Sequence, residues 1–236
     1  PAGRMLLEQG RLLLEAAEHL VGETRALARG WETDITIAVD ALVPLQALYP
    51  LVERLAEQTD TRLRLRAEVL AGSWECLEDG RADLLISSLN PDIMMTGIKH
   101  QPLQEEVMLY VAHPDHPLHL EPEPLADETL RRYRAIAIAD TARRKPALTY
   151  RLLDKQPRLT VSTMGEKRDA LLAGIGVGTM PLSWIEEDIK AGRLKVIGPE
   201  YRHQVQVVLA WRRDTMGKAK SWLVREIPKL FPCKGE

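Results

Sequence analysis

Three histidines spaced by three, His113, His116 and His119, are the first residues whose type and spacing suggest chemistry, because imidazole pairs ligate zinc. Pro114 and Pro117 break any helix that would bring those rings onto one face, so they read as solvated loop histidines. Gly174-Ile-Gly-Val-Gly178 invites a phosphate-cradling turn. A dinucleotide-binding turn follows a strand and opens a helix. Here the glycines follow a helix-like run ending at Ala173 and lead into a strand that stops at Pro181. They read instead as a helix cap and a tight helix-to-strand packing. No Gly-x-Ser-x-Gly occurs, so a nucleophile elbow is missing. The two cysteines, Cys76 and Cys233, form neither a zinc spacing nor a disulfide framework, and Cys76 reads as a buried structural thiol. The residues therefore call for no catalytic group, no metal and no cofactor.

Small polar residues at the ends of apolar runs carry more information. In parallel α/β sheets, ligands bind beyond the carboxyl ends of the strands, close to helix N-termini. Those positions hold Asp40-Ala41-Leu42, Leu70 with Ser73 beyond it, Ser87-Ser88, Asp140-Thr141 and Ser162-Thr163-Met164. Asp40, Ser73 and Thr163 would each serve equally well as helix N-caps. Taken as a ring around one cleft, the set points to a small polar ligand.

The elements that must position this ring follow from the period of the apolar residues. Asp34–Val39 alternates as a strand, and 44–58 returns to helix spacing. Arg62–Val69 alternates cleanly, with Leu63, Leu65, Ala67 and Val69 predicted inward and three arginines and Glu68 outward. Ser73–Asp79 reads as a helix capped by Gly80, and Asp83–Ser87 as a short buried strand. Gly97–Ala112 reads as two extended runs around Pro102-Leu103, followed by a loop with four prolines between 114 and 124. The pattern then repeats: strand 135–139, helix 146–153, strand 158–162, helix 166–173, strand 177–180, helix 184–191. A strand at 205–211 and a helix at 219–230 close the chain. The expected architecture is α/β and two-lobed, with mostly parallel sheets and a cleft between the halves.

Ahead of the first strand, residues 5–29 lack proline and place Leu6, Leu13, Leu20 and Leu27 seven apart. That spacing is a helix-pairing seam and predicts self-association. The run carries Glu8, Arg11, Glu15 and Glu18, so it is neither a membrane span nor a secretory signal, and the chain is expected in the cytoplasm. A net charge of −2 gives no basic stripe for duplex DNA, and Arg62, Arg64, Arg66 and Arg143-Arg144-Lys145 read as solvated faces. The start at Pro1, without an initiator Met, reads as a cut from something longer.

Four segments in order resemble LysR-type transcriptional regulators. Pro1-Ala-Gly-Arg-Met-Leu-Leu-Glu8 is similar to the entry of their linker helix, and Gly80-Arg-Ala-Asp-Leu-Leu-Ile86 to a recurrent strand entry. Pro102-Leu103 through His116-Pro117-Leu118 is similar to their crossover, and Leu172 to Pro181 to their glycine-rich signature. The resemblance implies a periplasmic-binding-protein-like fold: a linker helix at 1–30, one subdomain at 31–110 plus 211–236, and a second at 111–210. It implies a homotetramer built from linker-helix dimers, and DNA binding through an N-terminal winged helix-turn-helix rather than through these residues. Carried over by position, the effector-binding candidates are Asp40, Ala41, Leu42, Leu70, Ser73, Ser87, Ser88, Ile138, Asp140, Ser162, Thr163 and Met164.

This chain departs from many relatives by placing Ala41 and Leu42 where they carry Ser or Thr. That weakens the case for a carboxylate effector, and an ionised Asp40 facing the cleft would repel one. The expectation is a neutral or phenolic effector, with Asp40 accepting its hydroxyl and Leu42, Leu70 and Ile138 supplying apolar contact. The rival readings are a stand-alone solute-binding protein and an α/β enzyme.

Overall fold

Apolar alternation and helix-period runs resolve, in a computed structural model describing residues 30–89, 97–213 and 216–231, into one mixed sheet with helices on both faces. The first half runs β1 (Asp34–Asp40), α1 (Tyr49–Ala56), β2 (Arg62–Glu68), α2 (Ala71–Glu78) and β3 (Leu84–Ser88). A long strand, β4 (Ile98–Ala112), leads to a helical turn, α3 (Asp127–Leu130), and to β5 (Ala135–Ile138) and β6 (Arg158–Val161). Then come α4 (Met164–Leu172), β7 (Val177–Pro181), α5 (Leu182–Lys190), β8 (Lys195–Val196), β9 (His203–Arg212) and α6 (Lys218–Glu226). The leucine repeat and Cys233 lie outside the described residues.

The strand order is β2-β1-β3-β9-β4-β7-β5-β6, with β8 on β4. β1 pairs in parallel with β2 and β3, and β5 with β6 and β7. Between these parallel groups run two long strands, β4 and β9, antiparallel to each other. β9 also pairs antiparallel with β3, and β4 with β7. Two chain crossings therefore join the lobes, and both are strands. β4 is continuous where two runs were expected. Its register shifts between Pro102 and Gln104, and the extra residue there, Leu103, is buried. Proline has no N–H for the ladder, so a bulge is where a strand tolerates it.

Alternation sends successive residues to opposite cores. Ile37 and Val39 join Leu48, Leu51, Leu209 and Leu223 beneath α1 and α6, while Ala38 faces Trp74, Cys76 and Leu77 of α2. In the other lobe Leu109 and Val111 pack under α4 and α5, and Tyr110 and Ala112 pack on Leu118 and Leu125. Sheets covered on both faces are what parallel crossovers produce.

Two expectations are corrected. At the end of β2, Ala67 is exposed and Glu68 is buried, the reverse of the simple alternation. Glu68 turns inward because Arg81 and Thr141 meet it there. Residues 146–153 form no helix. Arg151 and Lys155 adopt positive φ, and the N–H groups of Arg143, Arg144, Lys145 and Leu148 are spent on carboxylates instead of an intrahelical ladder.

Gly174 caps α4 with φ of 70°, and Gly176 lets β7 approach β5. A Cβ at Gly176 would stand 2.3 Å from the Arg134 carbonyl oxygen. Gly176→Ala is expected to cost about 1–3 kcal/mol through forced backbone shifts. The check is urea unfolding: the midpoint should fall with the slope unchanged.

Candidate functional site

The site is built from the end of β1. Asp40 is 5% exposed, and its carboxylate accepts hydrogen bonds from Leu42 N (3.1 Å), Leu70 N (3.0 Å), Ser73 Oγ (2.6 Å) and Ser87 Oγ (3.4 Å). These donors come from the ends of β1, β2 and β3 and from the first turn of α2. Burial pushes the Asp40 carboxyl above its ordinary range, and the bonds from Ser73, Leu42, Leu70 and Ser87 pull it only part of the way back. Four donors match the roughly four lone-pair positions of a carboxylate. The role expected for Asp40, accepting a ligand hydroxyl, is thus taken by protein donors. Ser73 lies inside α2 rather than capping it. The cap position is Leu70, at φ 51° and ψ −122°, a conformation costing a non-glycine residue about 1–3 kcal/mol. Its N–H on Asp40 holds it there.

With no side chain capping α2, its first N–H groups are met from the other lobe. Asp140 accepts from Ala71 N (3.3 Å), Gly72 N (3.0 Å), Ala142 N (2.8 Å) and Leu148 N (2.7 Å). A carboxylate at a helix N-terminus is favoured by both the free N–H groups and the dipole. Thr141 Oγ1 donates to Glu68 and accepts from Val69 N at 2.9 Å. Buried Glu75 accepts from Arg143 N, Arg144 N and Lys145 N at 3.0–3.1 Å. Those N–H groups, Arg144 first, hold the Glu75 carboxyl at about 2. Arg144 also pairs with Asp79, and Lys145 with Glu78. The fit is tight enough that a Cβ at Gly72 would stand 2.1 Å from Thr141 Oγ1. Residues 140–148 therefore clasp α2.

Beside the clasp, between the lobes, lies a small cleft of about 70 Å³. Of the sequence candidates, Asp40, Ala41, Leu42, Leu70, Ser88, Ile138 and Met164 line it. Ser73 and Ser87 are buried behind Asp40, and Asp140 belongs to the clasp. Ser162 and Thr163 are exposed at the start of α4, where Thr163 and Glu166 form a capping box. A second hollow, at Trp31, Met216 and Trp222, is more open to solvent and belongs to one lobe. Among the described residues no three His, Cys, Asp or Glu gather as a metal site. His116 Nδ1 accepts from Leu118 N, and His119 Nε2 lies 3.2 Å from the His113 carbonyl.

The cleft also has walls that the sequence reading passed over: Val69, Met108, Tyr150, Lys167, Thr179 and Val205. Met108 and Val205 sit on the crossing strands and look like ordinary core. Tyr150 was hidden in the expected helix; its hydroxyl bonds His203 Nε2, and its ring stacks on that imidazole at 5.5 Å. Lys167 reads as a solvated helix face, yet it is 6% exposed. Burial, with no partner to offset it, pushes its ammonium down to about 8. The Thr179 hydroxyl is buried and unpartnered as well.

A family model described as the LysR substrate binding domain matches residues 28–231. The chain is 56% identical over 235 residues to a probable HTH-type transcriptional regulator, YhaJ, of Escherichia coli K12, covering 98% of this chain and 78% of that protein. It is 33% identical to an uncharacterised HTH-type transcriptional regulator, YeeY, of the same strain, over 95% of this chain and 74% of that one. Among solved structures, full-length LysG from Corynebacterium glutamicum with its effector Arg bound aligns at TM-score 0.67 and 20% identity, covering 94% of this chain and 78% of that chain. Full-length HypT from Salmonella typhimurium, a hypochlorite-specific regulator, aligns at 0.63 and 18%, covering 98% and 79%. At those identities the structural likeness is one of fold.

Two titrations probe the site. Lys167 holds its proton less well folded than unfolded, so it costs stability below about 8, and the cost fades as pH rises towards its usual 10.5. Lys167→Met should therefore melt above the parent at neutral pH, with the gap closing between those values. Glu75 behaves oppositely: its contribution is complete above 4.5 and is lost as pH falls to about 2. Glu75→Gln should melt below the parent at neutral pH and converge with it in acid.

Proposed function

The chain belongs to the LysR-type transcriptional regulators, as their effector-binding domain, and on that premise we propose that its inter-lobe cleft is where a small effector is sensed. The observation that carries this reading is the cleft's position. It opens at the carboxyl ends of β1, β2, β3 and β5, where doubly covered α/β sheets bind ligands, and its walls are mostly apolar with a few polar groups. Leu42, Leu70 and Ile138 supply apolar contact to a compact, largely apolar effector, the phenolic class included. Residues 31–110 with 211–236 form one subdomain and 111–210 the other, hinged on β4 and β9.

The clasp supplies a two-state element. Residues 140–148 hold the lobes together through Asp140 and Glu75, and an effector that prefers one lobe arrangement shifts the balance by no more than its differential affinity. Pairing through the leucine repeat of residues 5–29 joins chains into a dimer or tetramer and passes the shift to a winged helix-turn-helix, which binds DNA. The protein acts in the cytoplasm and turns over no substrate. Its relatives are transcriptional regulators, and no helix among the described residues is long and apolar enough to cross a membrane.

A thermal-shift panel of small aromatic alcohols, phenols and acids tests the cleft. A true effector at 100 times its dissociation constant stabilises by about 2.7 kcal/mol. Ile138→Trp, which fills the cleft, should abolish the shift, and the same compound should alter operator binding by the complete regulator. Equal stabilisation of parent and Ile138→Trp would place binding elsewhere.

A further inference from the structure

Lys167 is the only cation among the described residues lining the cleft, and its ammonium has no ion pair or hydrogen bond there. A charge taken out of water without a partner is costly, and proteins keep such groups where a ligand completes them. Its stem packs beside Gly178 of β7, but that packing does not need the charge. Met164, Ala170 and Leu171 on the same helix are buried and apolar, and a Met would fill similar volume.

The seats that an α/β fold usually offers an anion are already taken. Asp140 occupies the N-terminus of α2. Glu166 occupies that of α4, accepting from Ser162 N at 2.8 Å and Thr163 N at 2.9 Å. Asp40, the acid on the cleft wall, is engaged by four donors. What the cleft leaves open is therefore the Lys167 ammonium, and the Thr179 hydroxyl is buried without a partner on the same walls. The rest of the lining is mostly apolar and includes Met108, Met164, Ile138, Val69, Val205 and the ring of Tyr150. Thioethers and an aromatic ring favour a flat π-system over a polar or branched body.

Resting on the cleft reading above, we propose that the effector is an aromatic monoanion, a ring bearing one carboxylate or one ionised phenol. Its anionic oxygen sits on Lys167, with Thr179 as a second donor and the ring against Met108, Met164 and Ile138. This reverses the expectation drawn from Asp40 alone, since four protein donors occupy that carboxyl and burial disfavours its charged form.

The test is calorimetric titration of the 236-residue chain with benzoate and 4-nitrophenolate, against benzamide and benzyl alcohol as neutral counterparts of similar shape. Both anions should bind roughly tenfold or more tightly than the neutral compounds, as a charge-assisted hydrogen bond predicts. Lys167→Met, with Lys167→Gln as a second variant in case one misfolds, should lose that preference while binding the neutral compounds as before. Bound 4-nitrophenol should ionise at lower pH in the parent, seen as the visible absorption of its anion, and not in Lys167→Met. Equal binding of anions and neutral compounds, or a preference that survives in both Lys167 variants, overturns the proposal while the cleft stands. Anion binding that survives Ile138→Trp overturns the proposal and the cleft together. No binding by either anion up to roughly 10 mM, the weakest range worth calling recognition, also overturns the proposal.

Discussion

A carboxylate that cannot stay buried unsatisfied organises the first lobe. Asp40 gathers the Leu70 N–H, the Ser73 hydroxyl and the Ser87 hydroxyl, so the ends of three adjacent parallel strands are held by one group. Holding the Leu70 N–H forces that residue to positive φ, and the chain turns into α2 without a side-chain cap. An uncapped helix N-terminus must find an acceptor. It finds Asp140 of the opposite lobe, and with it the whole 140–148 segment. The clasp and the cleft beside it thus descend from one buried carboxyl and its four donors.

Placing its own carboxylates on both helix N-termini has a consequence for recognition. Positive potential at those ends is neutralised within the protein, so little anion selectivity can come from the backbone. Selectivity then depends on side chains in the cleft, and Lys167 stands alone there without a partner. A residue that lowers stability while nothing is bound, and gains a partner when a ligand arrives, exemplifies the local inconsistency expected at functional sites. Closing the lobes would exclude water around such a pair and strengthen it.

Much of the fold could be read from periodicity. Apolar pattern located β1, β3, β7 and β9 to within a residue or two, and the expected caps Thr163 and Gly174 bracket α4. What escaped has specific causes. Residues 146–153 carry a helix-compatible pattern, but the N–H groups of Arg144 and Lys145 just before them go to Glu75 and that of Leu148 goes to Asp140, instead of to an intrahelical ladder. Glu68 and Ala67 exchanged faces because the edge strand is covered by Thr141 and Arg81, which a local pattern cannot register. Antiparallel pairing of β9 is likewise invisible to a rule that sees only strand character.

For the site, sequence by itself determined that small polar residues cluster at the strand ends, because strand ends and helix caps follow from local spacing. Seven of the twelve candidate positions line the cleft. Only the tertiary structure decided what each polar group is free to do. Asp40, Asp140 and Glu75 are acids of one kind in a sequence, yet every one is satisfied by donors 30 to 70 residues away or more locally. Lys167 looks like any solvated lysine on a helix, and is buried and unpaired only because β5 and β7 lie against that face. Desolvation and hydrogen-bond satisfaction depend on everything packed around a group, and residue type and spacing carry no record of that environment.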